Sequence, residues 1–321
     1  MPPRSTTIPS GQRGGAETAS YKTKIGDMFM EIDRKELKRQ ARERMALTDP
    51  KFWVVALAYI VMTTGVSWLF SFAPIPHTQT SMIFFNLLLT LYSTVVQFGL
   101  CLWALWTYRQ LDPGVGSLIQ GFSVVGRVLL MELGVFVRIM GWYFLAALGL
   151  SVPFFFLIFT VYNESALLVG WLLFVSALVA VLITVSLRYA LAPYLLADRP
   201  DDGPSLPIYR SVSLMRGWKW ELFKLEFSFI GWEAINALLT LAVLLFSLNQ
   251  AGLLSMDILM TDTWRSQAME LLYSTPVVIL STLVTVPVSL WLIPYKATAR
   301  AGFYDARLVA SRGTLPEMPP L

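Results

Sequence analysis

Residues Ser211 to Thr240 read SVSLMRGWKWELFKLEFSFIGWEAINALLT. The stretch begins as a basic, polar turn and passes two tryptophans. It then continues into an apolar run that still carries Glu226, Glu233 and Asn236. A carboxylate inside lipid is energetically costly, so one within a membrane-spanning helix is expected to have an ion-pair partner or a functional role. The stretch therefore predicts a transmembrane helix with a polar face.

The composition of the whole chain also indicates a membrane protein. Of 321 residues, 55% are hydrophobic and 14% are charged, whereas soluble domains carry about 25% charged residues. Six apolar runs reach or approach the roughly 20 residues that cross about 30 Å of hydrocarbon. The predicted fold is all-α, a polytopic membrane protein with six transmembrane helices, at Phe52–Phe72, Phe84–Tyr108, Val128–Leu150, Ala166–Ala197, Trp220–Phe246 and Pro276–Tyr295. Pro153 predicts that the third and fourth helices are tilted, kinked or extended.

The chain divides into a membrane domain between two tails. Residues 1–31 are rich in Pro, Ser, Thr and Gly and predict a disordered tail. Residues 32–305 form the six-helix domain with an N-terminal amphipathic helix, and residues 306–321 form the second tail. Lys and Arg concentrate in the tails and in every second connection, while the longest opposite connection has only Arg265. By the positive-inside rule, both termini are predicted to be cytoplasmic.

Amphipathic segments predict contact with the membrane surface. In Ile32–Leu47, the side chains Leu37, Ala41 and Met45 form a narrow apolar stripe opposite Lys and Arg. We expect this helix to lie on anionic lipid headgroups, with a solvated basic helix as the alternative. The predicted partners are therefore the lipid bilayer and its anionic headgroups, and not nucleic acid. The predicted lipid-interface residues are Lys35, Lys38, Arg39, Arg42, Trp218, Lys219 and Trp220.

Similar basic segments precede the first, third and fifth predicted transmembrane helices. Each would introduce a hairpin that leaves the basic side of the membrane and returns to it. This pattern predicts three parallel hairpin repeats with interfacial amphipathic helices, and chance similarity among apolar helices is the alternative.

The inventory of reactive side chains excludes several kinds of site. Cys101 is the only cysteine and His77 the only histidine. An intrachain disulfide, a Cys/His metal site and a Ser-His-Asp triad therefore cannot be assembled. We predict no catalytic residue, no metal ligand and no cofactor.

The candidate site is a set of polar residues within the predicted transmembrane helices: Glu132, Arg138, Glu226, Glu233 and Asn236. A continuous fifth helix entering at Trp218 would place Glu226 about 12 Å and Glu233 about 22 Å deep. Arg138 on the third helix would lie about 17 Å deep, within reach of either glutamate if the two helices are neighbours. The set predicts either a buried ion pair that fixes helix packing or a polar cavity or relay.

Several blocks of sequence resemble a known family. They are RKELKRQARERM (Arg34–Met45), APYLLAD (Ala192–Asp198), SVSLMRGWKWELFKLEFSFIGW (Ser211–Trp232) and LWLIPYKATARAGFYD (Leu290–Asp305). In this order they resemble the bacterial domain of unknown function 975 family of six-helix integral membrane proteins. The resemblance implies a location in the bacterial cell (cytoplasmic) membrane, and it implies no activity. The chain lacks the usual Pro-Gly turn between the third and fourth helices, and Gln250–Ser274 looks like an insertion.

Three functions remain open on the sequence alone. The first is a non-enzymatic membrane scaffold or assembly factor with a membrane-protein partner or a homo-oligomeric state. The second is a small transporter or channel-like protein using Arg138, Glu226 and Glu233. An intramembrane enzyme comes third, because only carboxylates and hydroxyls are available. A water-accessible cavity reaching Glu233 would favour transport, and a sealed Arg138–Glu233 contact would favour a scaffold.

Overall fold

The computed structural model describes residues 33–72, 79–111, 113–160, 164–255 and 263–312. Helices make up 86% of these residues, and no strand occurs among them. The tail predicted at 1–31, His77 and residues 313–321 lie outside the described residues. In chain order the helices are α1 (Arg34–Ala46), α2 (Phe52–Ile60), α3 (Val66–Phe72), α4 (Gln79–Tyr108), α5 (Ser117–Gln120), α6 (Val125–Thr160), α7 (Glu164–Tyr189), α8 (Ala192–Asp198), α9 (Ser205–Leu214), α10 (Lys219–Phe227), α11 (Ile230–Gln250), α12 (Trp264–Leu272) and α13 (Thr275–Arg312).

Six helical stretches of the described chain are long and apolar enough to cross a membrane. They are α2–α3 (joined through a π-helical turn, Val61–Gly65), α4, α6, α7, α11 and α13, with α5 leading into α6 and α8 following α7. The prediction of an all-α protein with six transmembrane helices is therefore confirmed. Short helices precede the first, third and fifth crossings, as the repeat hypothesis requires. That the three hairpins are parallel repeats of one another stays a prediction.

Two helices are longer than the crossings predicted from the sequence. Helix α6 continues past Leu150 and through Pro153, and it ends only at Thr160. Helix α13 continues past Tyr295 to Arg312, so residues 306–312 of the predicted tail are helical. Proline is tolerated inside such helices because neighbouring groups satisfy the freed backbone atoms. Residues 154–160 of α6 are still apolar, so it is Pro153 that ends the predicted helix early, whereas α13 becomes polar after Tyr295 and hydropathy underestimates its length.

Helix α13 is the centre of the packing. It contacts α1, α2, α4 and α11 along its length, and it also touches α9 and α12. Helices α6 and α7 pack mainly against each other. They meet the other helices chiefly through α4, α8, α9 and α10. One group of crossings thus surrounds α13, and the α6–α7 hairpin lies beside it.

The hydrophobic core lies at one end of the bundle, which we call the basic end. It comprises α1, α5, α8, α9 and α10, the C-terminal part of α4, and α13 from Tyr295 onward. Its largest fully buried side chains include Trp103, Met215, Phe229, Phe303 and Tyr304. Elsewhere the crossings expose large apolar side chains, as expected where lipid covers them.

Helix α1 does not place its apolar stripe on lipid. Leu37, Ala41 and Met45 are buried in the core, and α1 packs against α13 and α4. The expectation that this stripe lies on the membrane surface is therefore wrong. The apolar groups are covered by protein because the basic end offers a large apolar surface of its own. The cations Lys35 and Arg42 remain exposed, and their contact with headgroups stays a prediction.

A close backbone approach joins α4 to the segment before α6. A Cβ atom on Gly99 would lie 2.3 Å from the carbonyl oxygen of Leu118, and one on Gly121 would lie 2.6 Å from that of Val95. Neither backbone atom can move aside as a flexible side chain would. These two glycines therefore permit a contact that fixes α4 against α5.

Candidate functional site

The helix predicted from Trp220 to Phe246 is interrupted at Ser228 and Phe229. The hydroxyl of Ser228 donates to the carbonyl oxygen of Leu225 at 2.6 Å, which competes with the helical hydrogen bonds. Phe229 is buried and meets Tyr295 edge to face, with ring centroids 5.0 Å apart. The depths predicted for Glu226 and Glu233 assumed a continuous helix, so they do not hold. Glu226 precedes the apolar crossing, and Glu233 lies in the first turn of α11.

Glu226 pairs with an arginine of α13 rather than with Arg138. Nη2 of Arg300 donates to Oε2 of Glu226 at 2.8 Å, and Nε of Arg300 donates to Oε1. The two bonds form a bidentate pair, the geometry in which arginine holds a carboxylate most firmly. The pair ties the end of α10 to the part of α13 beyond the apolar crossing.

Glu233 of α11 pairs with a lysine of α13 that lies one helical turn before Arg300. Nζ of Lys296 donates to Oε1 of Glu233 at 2.6 Å. The side chain of Glu233 is 48% exposed and that of Lys296 is 27% exposed. Unlike a sealed buried pair, this one adjoins open space.

Arg138 and Glu132 stand apart from the two pairs. Arg138 donates to the carbonyl oxygen of Gly134 at 2.8 Å, and its guanidinium lies 5.4 Å from the ring centroid of Tyr209. Glu132 has no hydrogen-bond or ion-pair partner among the described residues. The condition for pairing Arg138 with a glutamate, that the third and fifth predicted crossings are neighbours, is not met, because α11 packs against α13 rather than α6.

A cavity of about 370 Å³ opens beside the Glu233–Lys296 pair. Four crossings and α8 contribute to its walls, which carry charged, amide and phenol groups. The polar or ionisable residues that line it are Tyr59, Gln97, Cys101, Tyr194, Glu233, Asn236, Ser289, Lys296 and Arg300. Two of the five predicted site residues, Glu233 and Asn236, therefore share one cavity, and Glu226 reaches its wall through Arg300.

Asn236 contributes an unsatisfied acceptor to this wall. Its side-chain Oδ1 is buried and has no hydrogen-bond partner among the described residues. A buried amide oxygen without a partner costs about 1–3 kcal/mol, so water or a ligand in the cavity would be stabilised there. Asn236 lies three residues after Glu233, on the same face of α11. The cavity thus presents a carboxylate, an ammonium and an open acceptor together.

A second charged cluster lies deeper in the basic end. Nη1 of Arg109 donates to Asp198 at 2.5 Å, and Nη2 donates to Asp305 at 2.8 Å. The hydroxyl of Tyr304 also donates to Asp198, at 3.1 Å. Burial opposes the charge of Arg109, but the hydrogen bonds to Asp305 and Asp198 outweigh it and raise its pKa. The cluster joins the ends of α4, α8 and α13.

Sequence reasoning did not predict this cluster. A signal was nevertheless present, because the blocks APYLLAD and LWLIPYKATARAGFYD end at Asp198 and Asp305. The predicted crossings end at Ala197 and Tyr295, before these carboxylates, and the sequence pattern assigns no partner to either one. Lys296 and Arg300 were missed in the same way, because they were counted only as basic residues of a connection.

The predicted lipid-interface residues fall into three groups. Lys38 donates to the hydroxyl of Ser228 at 3.1 Å and Trp218 lies beneath Arg307, so both contact protein. Arg39 binds Glu36 and Glu43 on its own helix. The others are at least partly exposed and free to meet headgroups, namely Lys35, Arg42, Lys219 and Trp220. Their contact with lipid stays a prediction.

The six apolar crossings and the polar cavity between them define a polytopic α-helical membrane protein with an internal polar site. The model of the family described as protein of unknown function (DUF975) matches residues 28–310. The chain therefore belongs to this family, as the sequence blocks predict. No match was found among the curated proteins or among the solved structures. The described residues contain no group of three or more His, Cys, Asp or Glu side chains placed to hold a metal ion.

Proposed function

We propose that this protein is a small transporter or channel-like protein of the bacterial cell membrane, and that the Glu233 cavity is its solute-binding site. The observation that carries the proposal is the cavity itself, which brings Glu233, Lys296 and Asn236 to one open space. Well-packed apolar side chains would hold two helices together at least as well as a charged pair, so a pair kept beside an open cavity supports a further role. We further propose that the protein is not an enzyme.

The chemistry of the cavity suggests a small solute with charges of both signs. Its volume of about 370 Å³ is at the lower end of the range for small-molecule sites. A zwitterion placed between Glu233 and Lys296 would replace each side chain's present partner with a group of the same charge. Exchange of partners avoids leaving a charge unpaired in the apolar crossing, which is the costly state. An amino-acid-sized zwitterion fits both the volume and the charges.

The distribution of cations supports an orientation. Arg and Lys gather at the basic end, whereas α12 at the opposite end carries only Arg265. The positive-inside rule then favours a cytoplasmic basic end, with both termini in the cytoplasm. The solute site would open near the cytoplasmic surface, because Glu233 lies in the first turn of α11.

A scaffold or assembly factor is the second candidate. It is favoured by the pairing itself, since Glu226 and Glu233 each bind a cation of α13 and so fix α10 and α11 against it. In this case a membrane-protein partner or a second copy would be required, and the cavity would be incidental.

Flux measurements in proteoliposomes distinguish the two candidates. The purified protein is reconstituted with a radiolabelled mixture of zwitterionic amino acids outside, and with pyranine inside in parallel samples to detect proton flux. Transport predicts uptake or acidification above that of empty liposomes, and Glu233→Gln should abolish it, because the amide cannot replace the carboxylate. Glu221→Gln is the matched control, since Glu221 pairs with Lys224 on α10 and does not line the cavity.

Two results would contradict transport. One is a wild-type protein that moves neither the amino acids nor protons. The other is Glu233→Gln protein with undiminished flux. A scaffold predicts the first result together with co-purification of an intact partner complex that Glu233→Gln leaves unchanged.

A further inference from the structure

A second groove lies on the lipid-facing side of the basic end, between α7 and α10. Its volume is about 340 Å³, and it does not share a residue with the Glu233 cavity. One wall is a stripe of α7 at helical spacing, and the other is the start of α10. The lining residues are Ala180, Ile183, Thr184, Leu187, Lys219, Trp220 and Phe223.

The groove is apolar along its length and has aromatic rings on one wall. Trp220 and Phe223 stack with their ring centroids 5.0 Å apart. Trp220 is nevertheless 63% exposed and Ile183 is 38% exposed, so the described chain leaves a large part of both side chains uncovered. A hydrocarbon chain running along α7 would cover this surface without leaving any polar group unsatisfied.

Two cations stand at the basic end of the groove. Lys219 lines it, and Arg188 directly follows the α7 stripe. Burial lowers the pKa of Lys219, and repulsion by the nearby positive charge of Arg188 lowers it further. Neither forms an ion pair with a carboxylate of the described chain. The guanidinium of Arg188 lies 5.7 Å from the ring centroid of Trp142 on α6.

Neighbouring cations of the basic end behave differently. Arg109, Arg300 and Lys296 each bind a carboxylate of another helix, and Lys224 on the same helix as Lys219 binds Glu221. Two adjacent cations that lack such a partner would both be stabilised by one anion placed between them. The anion must carry its own apolar group if it is also to fill the groove.

We propose that this groove binds one anionic phospholipid, with an acyl chain along the α7 stripe and the phosphate between Lys219 and Arg188. A soluble phosphate fits only the charged end, and a neutral lipid fits only the apolar part. An anionic phospholipid satisfies both. The proposal does not depend on transport, because the groove and the Glu233 cavity have separate walls.

Native mass spectrometry of the detergent-purified protein tests the proposal. Phosphatidylglycerol, phosphatidylcholine and water-soluble sn-glycerol 3-phosphate are added in parallel. We expect one phosphatidylglycerol to be retained preferentially. Lys219→Gln should lower its affinity about fivefold, since a cation near headgroups contributes about 1 kcal/mol. Lys219→Arg should retain binding because it keeps the charge. Thr184→Trp should lower binding by filling the groove while leaving both cations in place.

Arg216→Gln is the matched control. Arg216 lies three residues before Lys219, is exposed and does not line the groove. The Arg216→Gln substitution should leave the affinity for phosphatidylglycerol within about twofold of the wild type, because it changes the net charge but removes no group of the groove. Equal losses in Arg216→Gln and Lys219→Gln would overturn the proposal. So would equal retention of phosphatidylcholine, or tight binding of glycerol phosphate alone.

Discussion

The basic end and the opposite half of the bundle are built by different forces. At the basic end Leu196, Phe303 and Tyr304 are almost fully buried by other parts of the chain. In the other half Phe155 and Phe156, on α6, are 60% and 71% exposed. The same types of side chain are therefore covered by protein in one region and left to lipid in the other.

We attribute the difference to the two solvents. Beyond the membrane, apolar surface faces water, and burying it contributes about 25 cal/mol per Å². Within lipid that driving force is absent, and helices associate through close packing and polar contacts. The basic end is thus the part of the molecule with a conventional hydrophobic core. It is also the part that carries the ion pairs and positions the first turn of α11.

A pair of phenylalanine truncations is expected to give the largest effect. Phe303→Ala removes a ring that is 1% exposed and should cost about 3–5 kcal/mol of stability through lost burial and a cavity. Phe156→Ala removes a ring that detergent or lipid already covers, so a change below about 1 kcal/mol is expected. Thermal unfolding in detergent measures both. Similar losses at the two positions would break the distinction between the regions.

The charged cluster of the basic end should give the next largest effect. Arg109→Gln leaves Asp198 and Asp305 without their shared cation, and the side chain of Arg109 is only 28% exposed. Removing one partner of a fully buried pair costs about 3–5 kcal/mol, so this partly screened cluster should lose about 2–3 kcal/mol. Thermal unfolding at neutral pH provides the measurement.

Arg39→Gln serves as the control for the Arg109 substitution. Arg39 also binds two carboxylates, but its side chain is 57% exposed on α1. Exposed pairs are screened by water and salt, so no resolvable loss of stability is expected. An equal loss in the two variants would show that the cluster of Arg109 is no more than a surface pair.

The crossings could be predicted from the sequence because they depend on local composition. Runs of roughly 20 apolar residues are sufficient to identify them, and all six appear in the structure. The close approach at Gly99 was also predictable, since a small residue in a crossing permits backbone contact. Gly141 is also a small residue in a crossing, but no atom of another element lies near its Cβ position. Glycine content alone does not indicate which helix lies opposite.

The partners in the candidate site could not be predicted, because they depend on tertiary packing. Glu226 and Glu233 were recognised, but their cations lie 74 and 63 residues further along the chain. The hydropathy pattern ends α13 near Tyr295, and it therefore separates Lys296 and Arg300 from the site. The interruption at Ser228 is equally invisible to hydropathy, since both flanking residues are apolar.

The accessibility of Asn236 to water tests the central claim most directly, namely that a polar cavity adjoins Glu233. Cys101→Ser removes the only cysteine, and Asn236→Cys or Leu238→Cys is then introduced. Leu238 is on the same helix and 64% exposed on its outer surface. A charged, membrane-impermeant methanethiosulfonate reagent is added to proteoliposomes. The account predicts rapid labelling at position 236 and none at position 238, because only a hydrated thiol ionises. Labelling absent at 236, or no faster than at 238, would contradict it.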